Sequence, residues 1–245
     1  MNGAMVLLIR KEVFLLIKRR IKLMGKFACF SRPESKIDRM SYPIPTPSAL
    51  RNILEAIYFK PDEFRYEITG ITVLKPIRYM DMCKNEIKVK ANPETCQQID
   101  CSKEHTQRSV RYLRDVAYLV DCRICLLDSF EPYNRNREDK IAGQFDRRVS
   151  NGKCFYQPYF GMRECMCFFE FPDGTERPDE GVGSEDFGLM LYDIFDPRTN
   201  GVLNTRPGEK STAVIAPSYY YPVMRNGHIR VPDYMSDQVI RQEVM

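Results

Sequence analysis

The sequence predicts an α+β fold: a ferredoxin-like unit followed by an antiparallel β-sheet C-terminal extension. Three observations predict it. Apolar periodicity runs strand, helix, strand, strand, helix, strand over residues 21–172. Beyond that point only short strand-like segments follow, separated by turn signals. The chain's 245 residues, 43% hydrophobic and 29% charged, have the balance of a soluble globular protein with one large or two small domains. The expected division is an N-terminal extension (1–20), the ferredoxin-like domain (21–172) and the β-rich extension (173–245).

In chain order, the opening segment MNGAMVLLIRKEVFLLIKRR has apolar runs broken by Arg10, Lys11 and Glu12. No run approaches the ~20 residues of a membrane span, and no small-residue cleavage pattern follows. Ile21 to Phe30 reads as a first strand interrupted by Gly25. Ser31 to Pro45 is an extended, proline-punctuated arm. Thr46-Pro47 then starts a helix, a hydroxyl cap followed by proline in the first turn. Ile53, Leu54, Ile57 and Tyr58 form its apolar stripe, and Pro61 ends it. Tyr58 falls in the last turn, where a phenol can leave the core and reach solvent or a ligand.

Phe64 to Tyr79 alternates well enough for one long strand or two joined at Gly70. Lys84 to Thr106 is polar and reads as a loop or hairpin tip, and Tyr112 to Leu127 as a strand. Glu138 to Ser150 is a short helix stopped by Asn151-Gly152. Arg163 to Phe171 is a strand candidate, followed by an acidic, Gly-rich loop. Strands near Gly188 to Phe195, Thr212 to Ile215 and Tyr219 to Met224 complete the chain, with Asn226-Gly227 as a hairpin turn.

The net charge of +4 is mild, but its distribution is uneven. Lys18, Arg19, Arg20, Lys22, Lys26, Arg32, Lys36 and Arg39 crowd the N-terminal part. Arg108, Arg111 and Arg114 form a second group, and Arg147 with Arg148 a third. Asp173, Glu176, Asp179, Glu180, Glu185 and Asp186 gather in one loop. Such segregation gives a basic face on a nearly neutral chain. Nine cysteines, an odd number, without a secretory pattern, lead to the expectation of a cytoplasmic protein with reduced thiols and no membrane contact.

Six blocks, in order, resemble the CRISPR-associated Cas-five family in its type I-C branch. They are SRPESKIDRMSYPIPTPSALRNILEAIYFKP, VLKPIRYMDMCKNEI, QRSVRYLRDVAYLV, FDRRVSNGKCFYQPYFGMREC, GLMLYDI and VMRNGHIRVP. The resemblance covers nearly all of the chain from about Ile21. It implies a repeat-associated (RAMP) protein of RRM-like fold. The implied activity is that of a metal-independent endoribonuclease, without cofactor, which cuts CRISPR precursor RNA at the repeat hairpin by 2′-OH attack. The implied partners are the repeat RNA and mature crRNA, whose 5′ handle the protein holds, and the backbone and large subunits of the Cascade complex.

By the same resemblance the catalytic residues are Tyr58, in AIYFKP, and Lys140, in the second helix. Where relatives can carry histidine next to that lysine, this chain has Ile141. The departure is chemical. Imidazole is the natural proton-transfer group near neutrality, and a phenol with a pKa near ~10 is a poor base at pH 7. Lysine supplies fixed positive charge for the transition state. Losing general acid–base help typically costs ~10²–10⁴ in rate. Ile141 therefore keeps a rival open: a non-catalytic subunit that binds the 5′ handle. The two histidines, His105 in a polar loop and His228 after the hairpin turn, are expected to be ordinary surface residues.

For RNA binding, the expected residues are Lys36, Arg39, Arg51, Arg108, Arg111 and Arg147, because guanidinium forks suit phosphates and stack on bases. Lys84-Asn85-Glu86 matches a family block without a chemical role. A zinc site from Cys96-x4-Cys101, Cys122-x2-Cys125 and Cys165-x-Cys167 is a further rival. Structural zinc prefers knuckles on turns, whereas Cys122 and Cys125 fall in a predicted strand where residues three apart face opposite sides. The expectation is therefore no metal and structural free thiols.

Overall fold

The computed structural model describes residues 17–35, 37–90, 94, 98–127, 135–194 and 217–241, with backbone alone at 135–138. The elements in order are β1 (Ile17–Ala28), β2 (Arg39–Met40), α1 (Pro47–Ile57), β3 (Phe64–Val73), β4 (Tyr79–Ile87), β5 (His105–Leu126) and α2 (Arg135–Ser150). Then come β6 (Phe168–Glu170), β7 (Glu185–Asp186), β8 (Met190–Asp193), β9 (Ser218–Tyr220), β10 (Val223–Arg225), β11 (His228–Arg230) and β12 (Ile240–Arg241).

Among the described residues, one large sheet has the order β6-β1-β5-β3-β11-β10-β7, with β2 and β4 also paired to β5. A small sheet has the order β12-β9-β8. Every pairing is antiparallel except β2 with β5. The architecture is thus mixed α/β, dominated by antiparallel sheet. Residues of both helices and the large sheet share one core, which includes Leu50, Ile57, Phe64, Tyr66, Phe145 and Phe160.

α1 forms as its sequence dictates. Thr46 caps it, its Oγ accepting from the Ala49 amide at 3.2 Å, and Pro47 stands in the first turn. β1 is not interrupted. Gly25 stays in the strand because a side chain there would meet the Met166 carbonyl at 2.8 Å and the Phe160 ring at 2.9 Å. The glycine marks close approach, not a break. β3 is a single strand whose register against β5 shifts between Ile68 and Gly70. β4 and β5 extend into the stretch expected to be a loop, and Lys84 to Ile87 pair with His105 to Arg108. This arm is largely exposed on both faces, so it carries no apolar alternation to read.

α2 begins three residues earlier than expected and stops at Gly152, whose φ of +61° is left-handed. The strand expected over Arg163 to Phe171 shrinks to β6, because the Cys165 amide closes a turn onto the Met162 carbonyl at 2.8 Å. Expected Tyr219 to Met224 divides at Pro222 into β9 and β10, which lie in different sheets. Thr212 to Ile215 lies outside the described residues. The Asn226-Gly227 turn has φ of +49° and +79°, the signature of a two-residue hairpin.

Candidate active site and nucleic-acid interface

Tyr58 follows the last turn of α1 with extended backbone (φ −154°, ψ 120°), and its amide donates to the Leu54 carbonyl. Its ring is buried, with 7% of the residue exposed. The ring packs on Phe64 with centroids 5.3 Å apart, and the Arg148 guanidinium sits 5.3 Å from its centroid. Burial pushes the phenol above its ordinary pKa, while Lys60 and Arg148 oppose the shift. The group is therefore protonated at neutral pH, and its available chemistry is donation.

Arg148 is the residue that sequence reasoning passed over. Its Nη1 donates to the Ile57 carbonyl at 2.9 Å, satisfying an orphan carbonyl at the end of α1. Its Nε is buried with no partner among the described residues. The signal was present in the spacing. Ile141, Phe145, Arg148 and Val149 fall at i, i+4, i+7 and i+8, one face of α2, and the three apolar members are buried. Lys140, Gln144 and Arg147 fall on another face. Lys140 and Arg147 are exposed, and Arg147 donates to Gln144. Arg148 thus joins Tyr58, and Arg147 points to solvent. Lys140 stands about 12 Å from Arg148 along the helix axis. Ile141, at 2% exposure, belongs to the core.

The other expected RNA contacts divide three ways. Arg51 lies under the surface, bonded to Glu55 at 2.7 Å and to both oxygens of Asp193 at 3.0–3.2 Å. Burial raises the Glu55 pKa, and Arg51 pulls it back. Its guanidinium ties α1 to β8 and has two carboxylate partners of its own.

Arg108 and Arg111 lie on the β4–β5 arm, with Arg39 on β2 beside it, but not on one face. Arg108 lies opposite Lys84, and Arg111 opposite Asp81, three residues on and so across the strand. Arg39 pairs with Glu86 at 3.0 Å, and Arg111 bonds Asp81 through two nitrogens at 2.8 and 3.1 Å while lying 5.7 Å from the Tyr79 centroid. Lys84 pairs with Glu164 and lies over Tyr112, so the Lys84-Asn85-Glu86 block anchors the arm at both charged ends. Lys36 lies outside the described residues. His105 is exposed on β5, and His228 Nδ1 is 3.1 Å from Thr72 Oγ.

The described cysteines are free, and Cys29, Cys122, Cys125, Cys165 and Cys167 are buried. Burial pushes the thiols of Cys122, Cys125 and Cys165 up to about 12, so they are protonated at neutral pH. Cys96 lies outside the described residues. Among the described residues, no group of three or more His, Cys, Asp or Glu is placed to hold a metal ion. No helix among them is long and apolar enough to cross a membrane.

The family model for CRISPR-associated protein (Cas_Cas5) matches residues 20–232. The chain belongs to that family. A Thermus thermophilus member named CRISPR pre-crRNA endoribonuclease Cas5d is 37% identical over 228 residues, 91% of this chain and 95% of that protein. A Mannheimia succiniciproducens member of the same name is 31% identical over 238 residues, 91% of this chain and 98% of that protein. A crystal structure of a CRISPR-associated protein shares the fold, with a TM-score of 0.60 at 22% identity over 91% of this chain and 96% of that one. The Cas5 match begins inside β1 and ends just past β11, so it takes in both helices and most of the large sheet.

Proposed function

We propose that the chain is a metal-independent endoribonuclease that cuts CRISPR precursor RNA at the repeat hairpin and then holds the 5′ handle of the crRNA in a type I-C Cascade complex, beside its backbone and large subunits. The observation that carries this reading is 37% identity, over nearly the whole length of both chains, to a protein named for that activity. The fold is read as ferredoxin-like, of the RAMP kind. The order β6-β1-β5-β3, with α1 between β1 and β3 and α2 between β5 and β6, supports it. In this reading residues 21–172 carry the RNA chemistry and 173–245 extend the sheet, after an N-terminal extension.

The reaction is an attack of the 2′-oxygen on the adjacent phosphorus. The 2′-O–P bond forms, the P–O5′ bond breaks, and the 5′-oxygen leaves with a proton. Tyr58, held neutral by burial, suits donation to that departing oxygen. Arg148 fixes the phenol's ring and adds positive charge beside it. Lys140, exposed on α2, would stabilise the pentacoordinate phosphorus. No histidine stands beside Lys140, so the 2′-proton goes to solvent. The step is therefore slow, by up to the ~10²–10⁴ that a positioned base contributes.

The test is cleavage of the cognate repeat RNA by purified protein in EDTA, beside Tyr58→Phe and Lys140→Ala. Cutting at one site, lost in both variants while binding is kept, supports the enzyme. Tight binding without any cutting would establish the second reading, a non-catalytic handle-binding subunit, which buried Ile141 in place of a proton shuttle favours.

A further inference from the structure

A cavity of about 240 Å³ opens beside the exposed side of α1. Its walls include Asn52, Ser48, Phe30, Tyr156 and Tyr159, and among the described residues no charged side chain lines it. In a chain with 70 Lys, Arg, Asp and Glu residues, a neutral, ring-walled concavity is unusual, and it does not suit a phosphate. Its volume lies below the ~300–1,000 Å³ of pockets that hold drug-sized ligands, which restricts it to one small group.

The rim of this cavity carries a second anomaly. Phe155 is 80% exposed and Tyr156 48% exposed, with their rings edge to face at 6.0 Å. Their backbone is firmly seated, because both amides donate to the Ala56 carbonyl, at 2.8 and 3.3 Å. The aromatic pair is therefore held in place at the C-terminal end of α1, on the carbonyl two residues before Tyr58. Asn52 is exposed, and its amide has no hydrogen-bond partner among the described residues.

We infer that this cavity is a nucleobase pocket, receiving one unpaired base of the bound RNA. Tyr156 and Tyr159 supply the stacking faces and Asn52 the edge contact. A side-chain amide has a donor and an acceptor side by side, which matches the N6/N7 edge of adenine. Stacking on aromatic rings is the general means of holding a base splayed from single-stranded RNA. The inference rests on the RNA-binding reading above and adds to it a base-specific subsite, set off from the phosphate-contacting cations.

The test uses the full-length protein and a set of cognate repeat RNAs, each with one unpaired nucleotide made abasic. Wild type is expected to lose roughly 5- to 100-fold in affinity at one position and little at the others. Tyr156→Ala and Asn52→Ala are expected to weaken binding to intact RNA and to erase sensitivity at that same position, while Tyr156→Phe keeps it. Both side chains are exposed, so the melting temperatures of the variants should match wild type. Variants indistinguishable from wild type on every RNA would overturn the pocket and leave the function reading standing. Wild type that binds no repeat RNA would overturn that reading and the pocket with it.

Discussion

Tyr58 and its neighbours decide what the candidate site can do. A phenol buried against Phe64, with an arginine across its ring, is stabilised in its neutral form. Tyr58→Phe should slow cleavage by about 10²-fold. Because the folded-state pKa is raised above ~10, the phenol is protonated throughout pH 6–9, and the wild-type-to-variant ratio should stay flat across that range. A ratio widening tenfold per pH unit would identify a phenolate base instead. Arg148 and its sequence neighbour separate cleanly. Arg148→Ala removes the bond to Ile57 and the charge beside Tyr58, so it should lose cutting and about 1–3 kcal/mol of stability. Arg147→Ala, on the exposed face, should fall within about 0.5 kcal/mol of wild type. Chemical denaturation of the two variants side by side checks this. Ile141→His places an imidazole where a 2%-exposed apolar side chain packs, and should cost about 1–3 kcal/mol in the same assay.

At the scale of elements, α1 is anchored to β8 by the Arg51–Glu55–Asp193 group, whose side chains are 12%, 5% and 4% exposed. Removing the cation leaves two buried carboxylates facing each other, so Arg51→Ala should destabilise by about 3–5 kcal/mol in urea unfolding. Any loss of RNA binding in that variant would report on folding. Sequence could not reveal this burial. Arg51 lies one position before the exposed Asn52, and its partner Asp193 is 142 residues away. The α1 cap, its apolar stripe and the Asn226-Gly227 turn were legible because each is a local device with a local cause. The β4–β5 arm was not, since a hairpin largely solvated on both faces obeys no burial period. The same arm explains why Arg108 and Arg111 looked alike in sequence and yet face opposite sides.

Over the whole molecule, the order β1-α1-β3-β5-α2-β6 followed from periodicity, whereas β2, β4 and the way the last quarter joins the sheet did not. Strands of two to four residues carry almost no pattern, and their place is set by distant partners. β11 pairs with β3 through His228–Thr72, Ile229–Ile71 and Arg230–Gly70, and β10 and β7 continue outward from it. Ile229, Met224, Tyr192 and Tyr220 share the core with Leu50 and Phe145. Among the described residues, β7, β10 and β11 therefore extend the sheet of the preceding strands, and side chains of β8 to β11 share its core, although the chain reads as two parts in sequence. A fragment ending at Pro172 would bare the β3 edge, expose those core contacts and leave Arg51 without Asp193. An open apolar edge is a template for association with other chains. The fragment 1–172 should accordingly aggregate or show no cooperative thermal transition, while the full chain melts in a single step. Recovery of the fragment as a soluble monomer with its own sharp transition would show that residues 173–245 are a separable domain after all.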